Sequence, residues 1–207
     1  MGFWEDRVVP RLADRALRGE EIGRLRAEAC RGLTGRVLEI GFGSGLNTRF
    51  YPPEVVSVGA VEPSDVGWRL SGRRRALADV VIERVGLDGQ RLEADAASYH
   101  CVLSTFTLCT IPDVDMALRE VRRVLLPGGS LHFLEHGLAP SPKVARWQRR
   151  LEPFQKRIAG GCHLTRDISA LVTGAGLEVV ELRQEYLPGP TASRPWTYGY
   201  LGRAVAR

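Results

Sequence analysis

Over residues 3–31, apolar positions recur at helical spacing: Leu12, Ala16 and Leu17, then Ile22, Leu25 and Ala29. Pro10 and Gly19 break this run into two helical pieces ahead of the main fold. From Arg36 the period changes. Residues 36–40 read as a buried strand that passes at once into Gly41-Phe42-Gly43-Ser44-Gly45. A helix from Leu46 to Tyr51 should follow, stopped by Pro52-Pro53, and then a second strand over 55–61 that closes on Glu62-Pro63. The pattern continues with a helix over 65–79, weakened by Gly67 and Gly72, and short strands at 91–94 and 101–106. Asp113 starts a helix carrying Leu118, Val121, Val124 and Leu125, which Pro127-Gly128-Gly129 ends. A fifth strand at 131–135 precedes helices over 142–158 and 167–175, the latter capped by Thr165, and two last strands lie at 177–182 and 197–205. Strands alternating with helices predict an α/β, doubly wound, parallel-rich sheet, and the short link between the last two strands predicts an antiparallel hairpin.

The length of 207 residues suits one such domain, divided into a helical flank or lid at 1–33 and the main fold at 34–207. The net charge of +5 does little to change this picture. All but Lys143 and Lys156 of the 29 basic residues are Arg, and they are scattered, the densest run being Arg73-Arg74-Arg75. We read them as solvated faces and expect no nucleic-acid partner. Cys30, Cys101, Cys109 and Cys162 lack CxxC spacing, which argues against zinc and against a disulfide framework and favours a reduced, cytoplasmic setting. The four His are dispersed, so no metal site is expected. No apolar stretch reaches the length of a membrane span, and nothing signals an oligomeric state.

Candidate chemistry concentrates at the glycine bend. Glycines stand where a backbone must turn tightly and approach a ligand closely. The dinucleotide fingerprint needs a further glycine at position 46, where this chain has Leu46, which disfavours NAD. Glu62 ends the second strand and can accept from both hydroxyls of a ribose. After the third strand, Asp95 in Glu93-Ala94-Asp95-Ala96 can accept from the exocyclic amine of an adenine.

These residues resemble class I methyltransferases that use S-adenosylmethionine (SAM), in the group that includes the ubiquinone/menaquinone-biosynthesis enzymes. The resemblance rests on Val37-Leu38-Glu39-Ile40-Gly41-Phe42-Gly43-Ser44-Gly45, on Glu62, and on the Leu118–Gly129 segment ending in Pro127-Gly128-Gly129. A closer likeness is to the thiol S-methyltransferases, through Asn47-Thr48-Arg49-Phe50-Tyr51-Pro52-Pro53, Leu108-Cys109, Glu135-His136 and Gly161-Cys162-His163-Leu164-Thr165-Arg166. It implies a Rossmann-like, seven-stranded, mostly parallel sheet with an antiparallel last strand. It also implies SAM as methyl donor, S-adenosylhomocysteine as product, and a small acceptor that is a thiol, lipophilic or quinone-like. The implied cofactor site comprises Glu39, Gly41, Phe42, Gly43, Gly45, Asn47, Glu62, Pro63, Asp95, Ala96, Thr105 and Phe106. The chain departs from the family's pattern in that no apolar N-terminal anchor is expected and only four residues separate Asp95 from His100.

Methyl transfer from a sulfonium is an in-line displacement, so positioning dominates and a base is needed only when the acceptor must lose a proton. His136 is the best base candidate, with His163 second. Thr105, Thr107, Glu135 and His136 should reach the acceptor from the strand ends. Gly161-Cys162-His163 and the N-terminal helices near Phe3 and Trp4 should close over it. His132 should point into the sheet packing. Two alternatives stand beside the enzyme: a binding or regulatory protein that kept the fold and lost catalysis, and a nucleic-acid methyltransferase.

Overall fold

The computed structural model describes residues 4–187 and 190–207, which leaves Phe3 outside the described residues. Seven strands form one sheet in the order β3-β2-β1-β4-β5-β7-β6. The strands are β1 (Gly35–Ile40), β2 (Val55–Val61), β3 (Val81–Gly86), β4 (Tyr99–Thr105), β5 (Leu125–His136), β6 (Leu177–Tyr186) and β7 (Tyr198–Ala206). β1 to β5 pair in parallel, and β7 runs antiparallel to both β5 and β6. This is the doubly wound sheet that the alternating pattern predicts, with its chain reversal between β1 and β4.

Each central strand splits its apolar residues between two layers, as a period of two requires. Leu38, Ile40, Val102, Leu131 and Phe133 pack on one face with α5 (Val114–Val124) and α7 (Ile168–Gly174). Val37, Val58, Cys101, Leu103 and Leu134 pack on the other with Ala29, Cys30 and Leu33. The latter three lie on or just beyond α2 (Glu20–Cys30). α2 is therefore part of the core, whereas α1 (Val9–Leu17) buries no residue and lies over the strand ends. Pro10 opens α1, where its missing N–H costs nothing, and does not break it. Gly19 separates the two helices and sits at the N-cap of α2.

Several sequence expectations are corrected. The third strand is Val81–Gly86, not residues 91–94. It is a half-exposed edge strand carrying Glu83 and Arg84, so it shows no continuous apolar run. Residues 91–94 lie in the β3–β4 connection, where their backbone groups bond to side chains of α5. The Leu92 N–H donates to Glu120, and Arg123 donates to the carbonyls of Leu92 and Ala94. The connection thus runs over residues 87–98, and the apparent shortness before His100 disappears. The bend after β1 leads not into an α-helix but into one 3₁₀ turn, Thr48–Phe50. Residues 65–79 form two short helices, α3 (Asp65–Leu70) and α4 (Gly72–Ala76). Asp167, not Thr165, caps α7, accepting from the Ala170 N–H at 3.0 Å. α6 (Pro142–Ile158) lies where expected.

His132 is enclosed between β5 and α2. Its Nδ1 lies 3.0 Å from the Ala29 carbonyl and its Nε2 lies 3.0 Å from the Ser130 hydroxyl. A neutral ring that donates from Nδ1 and accepts at Nε2 satisfies both. Burial pulls its pKa down to about 4. The unfolded chain therefore takes up a proton near pH 6.5 that the native ring refuses, and stability present above pH 6.5 is lost as the pH falls towards 4. We predict that denaturant titrations of the protein and of a His132→Gln variant will show their stability difference narrowing by about 1 kcal/mol per pH unit in that window. A pH-independent difference would contradict it.

Candidate functional site

A cleft of about 670 Å³ opens over the C-terminal ends of β1, β2 and β4, the position at which open α/β sheets bind ligands. Its floor is the bend after β1. Gly41 has φ +69°, and a Cβ there would lie 2.0 Å from Thr107 Oγ1, so the β1 and β4 ends touch only because that position carries no side chain. Gly43 has φ +59° with no other heavy atom nearer than 3.8 Å to a Cβ built on it. Its N–H donates to Glu62 Oε2 at 2.5 Å, while the Ser64 N–H donates to Oε1 at 2.7 Å. Burial raises the Glu62 pKa, and these two N–H groups hold it down in part. The carboxylate thus stands beside the bend, keeping lone pairs for further donors.

Beneath the bend lies a buried polar network. The Arg26 guanidinium donates to Asn47 Oδ1 and to Thr105 Oγ1, both at 2.8 Å. Asn47 donates to Glu39 Oε1 at 2.9 Å, and the Tyr51 hydroxyl donates to the other oxygen of Glu39. Burial raises the Glu39 carboxyl to about pKa 7, against the pull of Tyr51, Asn47 and Arg26. Phe106, which follows β4, takes the left-handed conformation at φ +55°, a strain of about 1–2 kcal/mol for a residue with a Cβ. Its N–H is anchored on the Leu134 carbonyl at 2.8 Å, and Arg26 lies 5.5 Å from its ring centroid.

The fold brings Gly41, Phe42, Gly43, Glu62, Pro63, Thr105 and Phe106 together around the cleft. Glu39 and Asn47 lie behind it in the network, and Gly45 packs against Ser71 and Phe42. Asp95 and Ala96 are exposed and outside the cleft lining, which corrects their expected place. The acid that follows the true third strand is Asp88. It lines the cleft with Gln90, and its Oδ1 accepts from the Gln90 N–H at 2.8 Å. Sequence reading missed Asp88 because it missed β3. The available signal was Val80-Val81-Ile82 followed by Val85-Gly86.

The expected bases are also displaced. His136 does not line the cleft. Its Nε2 lies 2.7 Å from Cys162 Sγ, and Cys162 lies 3.7 Å from Cys109 Sγ. Burial lowers the His136 pKa, but the Cys162 thiol and the Glu135 carboxylate outweigh it and leave it raised. Cys162 is lowered, chiefly by the Cys109 thiol. His163 points to Glu152, 3.4 Å from its Oε1, and its pKa is lowered by burial and by Arg166 and Lys156. Glu135 organises the turn after β4, where its Oε1 accepts from Ser104 Oγ and from the N–H groups of Thr107 and Leu108. Among the described residues no histidine lines the cleft.

Comparison with known proteins agrees with this geometry. A family model described as "Methyltransferase domain" matches residues 7–182. The rat thiol S-methyltransferase TMT1B is 36% identical over 175 residues, covering 82% of this chain and 70% of its own. The ubiquinone/menaquinone biosynthesis C-methyltransferase UbiE of Hahella chejuensis is 34% identical over 115 residues, covering 53% of this chain and 46% of its own. A solved SAM-dependent methyltransferase of Thermotoga maritima, described as a possible histamine N-methyltransferase, superposes with a TM-score of 0.68 at 19% identity over 100% of both chains and shares the fold. The chain belongs to the methyltransferase domain family and is a SAM-dependent enzyme, with S-adenosylmethionine as methyl donor. The site fits that donor, since it offers bare backbone at Gly41 and Gly43 and a carboxylate at the end of β2.

We predict that Gly41→Ala costs about 3 kcal/mol of stability, from left-handed strain plus the clash with Thr107, whereas Gly43→Ala costs about 1 kcal/mol. Thermal unfolding of the two variants measures the difference. Equal losses would show that the Gly41–Thr107 approach is not a constraint.

Proposed function

We propose that the chain transfers the SAM methyl group to the sulfur of a small lipophilic thiol. The supporting observation is the character of the cleft away from the bend, walled by Val9, Pro10, Ala13 and Leu17 of α1 and by Phe106 and Ile111. Apolar walls favour a lipophilic acceptor. The name of the rat relative points the same way. Bound SAM supplies an electrophilic methyl on a sulfonium. This chain's residues then position and enclose. Glu62 would accept from the ribose hydroxyls of the donor, and Asp88, two residues beyond β3, would take the adenine-side role expected of Asp95. The open backbone at Gly43 lets the methionine portion lie close to the bend. α1 and the turn at Ala159, Gly160 and Gly161 form the wall of the cleft on the acceptor side.

Deprotonation is left to the acceptor itself. The acid that α1 itself places in the cleft lining, Asp14, is paired with Arg74 at 2.8 Å. A thiol of pKa about 8.5 supplies a few per cent thiolate at neutral pH without a base, which a phenol or an alkylammonium does not.

Two measurements test this reading. In calorimetric titrations with SAM, Asp88→Ala and Glu62→Gln should each weaken binding roughly 10-fold or more, the loss of a charge-assisted hydrogen bond, while Asp95→Ala should leave it within about 2-fold. The reverse ranking of the two aspartates would return the adenine-side role to Asp95. In a product assay over thiols, phenols, amines and a quinol, alkyl thiols should be the preferred acceptors. Their kcat/KM should rise about 10-fold per pH unit up to the acceptor's own pKa, and that break should move with the thiol used. Transfer to the quinol alone would favour C-methylation instead.

A further inference from the structure

Cys109, His136 and Cys162 come from three different elements: the turn after β4, the end of β5 and the turn after α6. Their ligand atoms nevertheless lie within 4.8 Å of one another, and both cysteines are free and buried. The sequence spacing argued against a metal, because no two of these residues are near neighbours in the chain. The fold removes that objection. Two Zn–S bonds of about 2.3 Å meeting at a tetrahedral angle place their sulfurs about 3.8 Å apart. Cys109 Sγ and Cys162 Sγ are 3.7 Å apart. His136 Nε2 sits 2.7 Å from Cys162 Sγ and needs to withdraw by roughly 1 Å to reach the N–S edge of the same tetrahedron.

The surroundings are consistent with an ion there. The backbone already clamps the two thiols together, with the His163 N–H donating to the Cys109 carbonyl at 2.8 Å. Gly160 and Gly161, at φ +58° and +85°, make the turn that returns Cys162 to the sheet. Two thiolates, a neutral imidazole and a divalent cation sum to zero charge, the condition under which burying such a group is tolerable. Close by, the second oxygen of Glu135 is buried with no hydrogen-bond partner, although its first oxygen has three.

We propose that Cys109, His136 and Cys162 form a site for a soft or borderline divalent cation, zinc foremost. Three protein ligands leave one coordination position for water or another small ligand. The site lies one residue behind the cleft, since Thr110 and Gly161, the chain neighbours of the two cysteines, both line it. An ion there fastens the turn after β4 to the turn after α6 and so fixes the acceptor-side wall.

The test uses the full chain, reduced and stripped of metal with a chelator. Titration with Zn2+ against a chromogenic competitor should show one site, tighter than micromolar, and the loaded protein should melt roughly 5 °C or more above the stripped one. Co2+ should give sulfur-to-metal charge-transfer absorption and the visible bands of a four-coordinate ion. Cys109→Ser and Cys162→Ser should each lower zinc affinity at least 10-fold, and Cys30→Ala, outside the cluster, should not. Absence of tight zinc binding to the unaltered protein would overturn the proposal, and so would a six-coordinate cobalt spectrum. Zinc affinity unchanged from that of the unaltered protein in both serine variants would overturn it as well. None of these readouts depends on the acceptor or on methyl transfer.

Discussion

The buried charge pair beneath the glycine bend is the constraint on which the active end of this molecule depends. Arg26 and Glu39 are both almost fully buried, and neither is tolerable alone. They are reconciled through Asn47, Thr105 and Tyr51, so one network joins α2, β1, the turn after the bend, and the end of β4. That is why the N-terminal helical segment cannot be a mere appendage. Its second helix supplies the cation that satisfies the floor of the cleft, while its first helix supplies the cleft's apolar wall.

The cleft is a consequence of that fixed floor. With β1 and β4 held together, Gly41 meets Thr107 at a distance no side chain could allow, and the bend must rise on bare backbone. Phe106 is forced into a left-handed conformation beside it, and Arg26 and the Leu134 carbonyl hold it there. Glu62 then bridges the end of β2 to the bend through Gly43. Strain and buried charge are both concentrated at the strand ends, where a ligand can be met by preorganised groups and little rearrangement is needed. In such an arrangement the protein contributes to methyl transfer by positioning.

The outer face of the same wall carries a second concentration of chemistry. Cys109, His136 and Cys162 meet behind Thr110 and Gly161, so His136, expected to reach the acceptor, is not among the residues lining the cleft. The relation of these residues to one another is a matter of packing.

What the sequence determined by itself was set by local patterns. The apolar strand of β1 running into closely spaced glycines, the carboxylate ending β2, and the amphipathic helix before Pro127-Gly128-Gly129 are each written in adjacent residues, and they carried the doubly wound fold, the donor and the bend. The antiparallel pairing of the last two strands was legible for the same reason. What only the tertiary structure decided was whatever depends on contacts far apart in the chain. β3 is an edge strand whose residues are half solvated, so its pattern is weak, and Asp88 was hidden with it. Residues 91–94, expected as a strand, lie in a connection whose backbone groups bond to α5 side chains. His136 and Cys162 stand 26 positions apart and share a hydrogen bond, a proximity that periodicity cannot encode because only the closing of the sheet creates it.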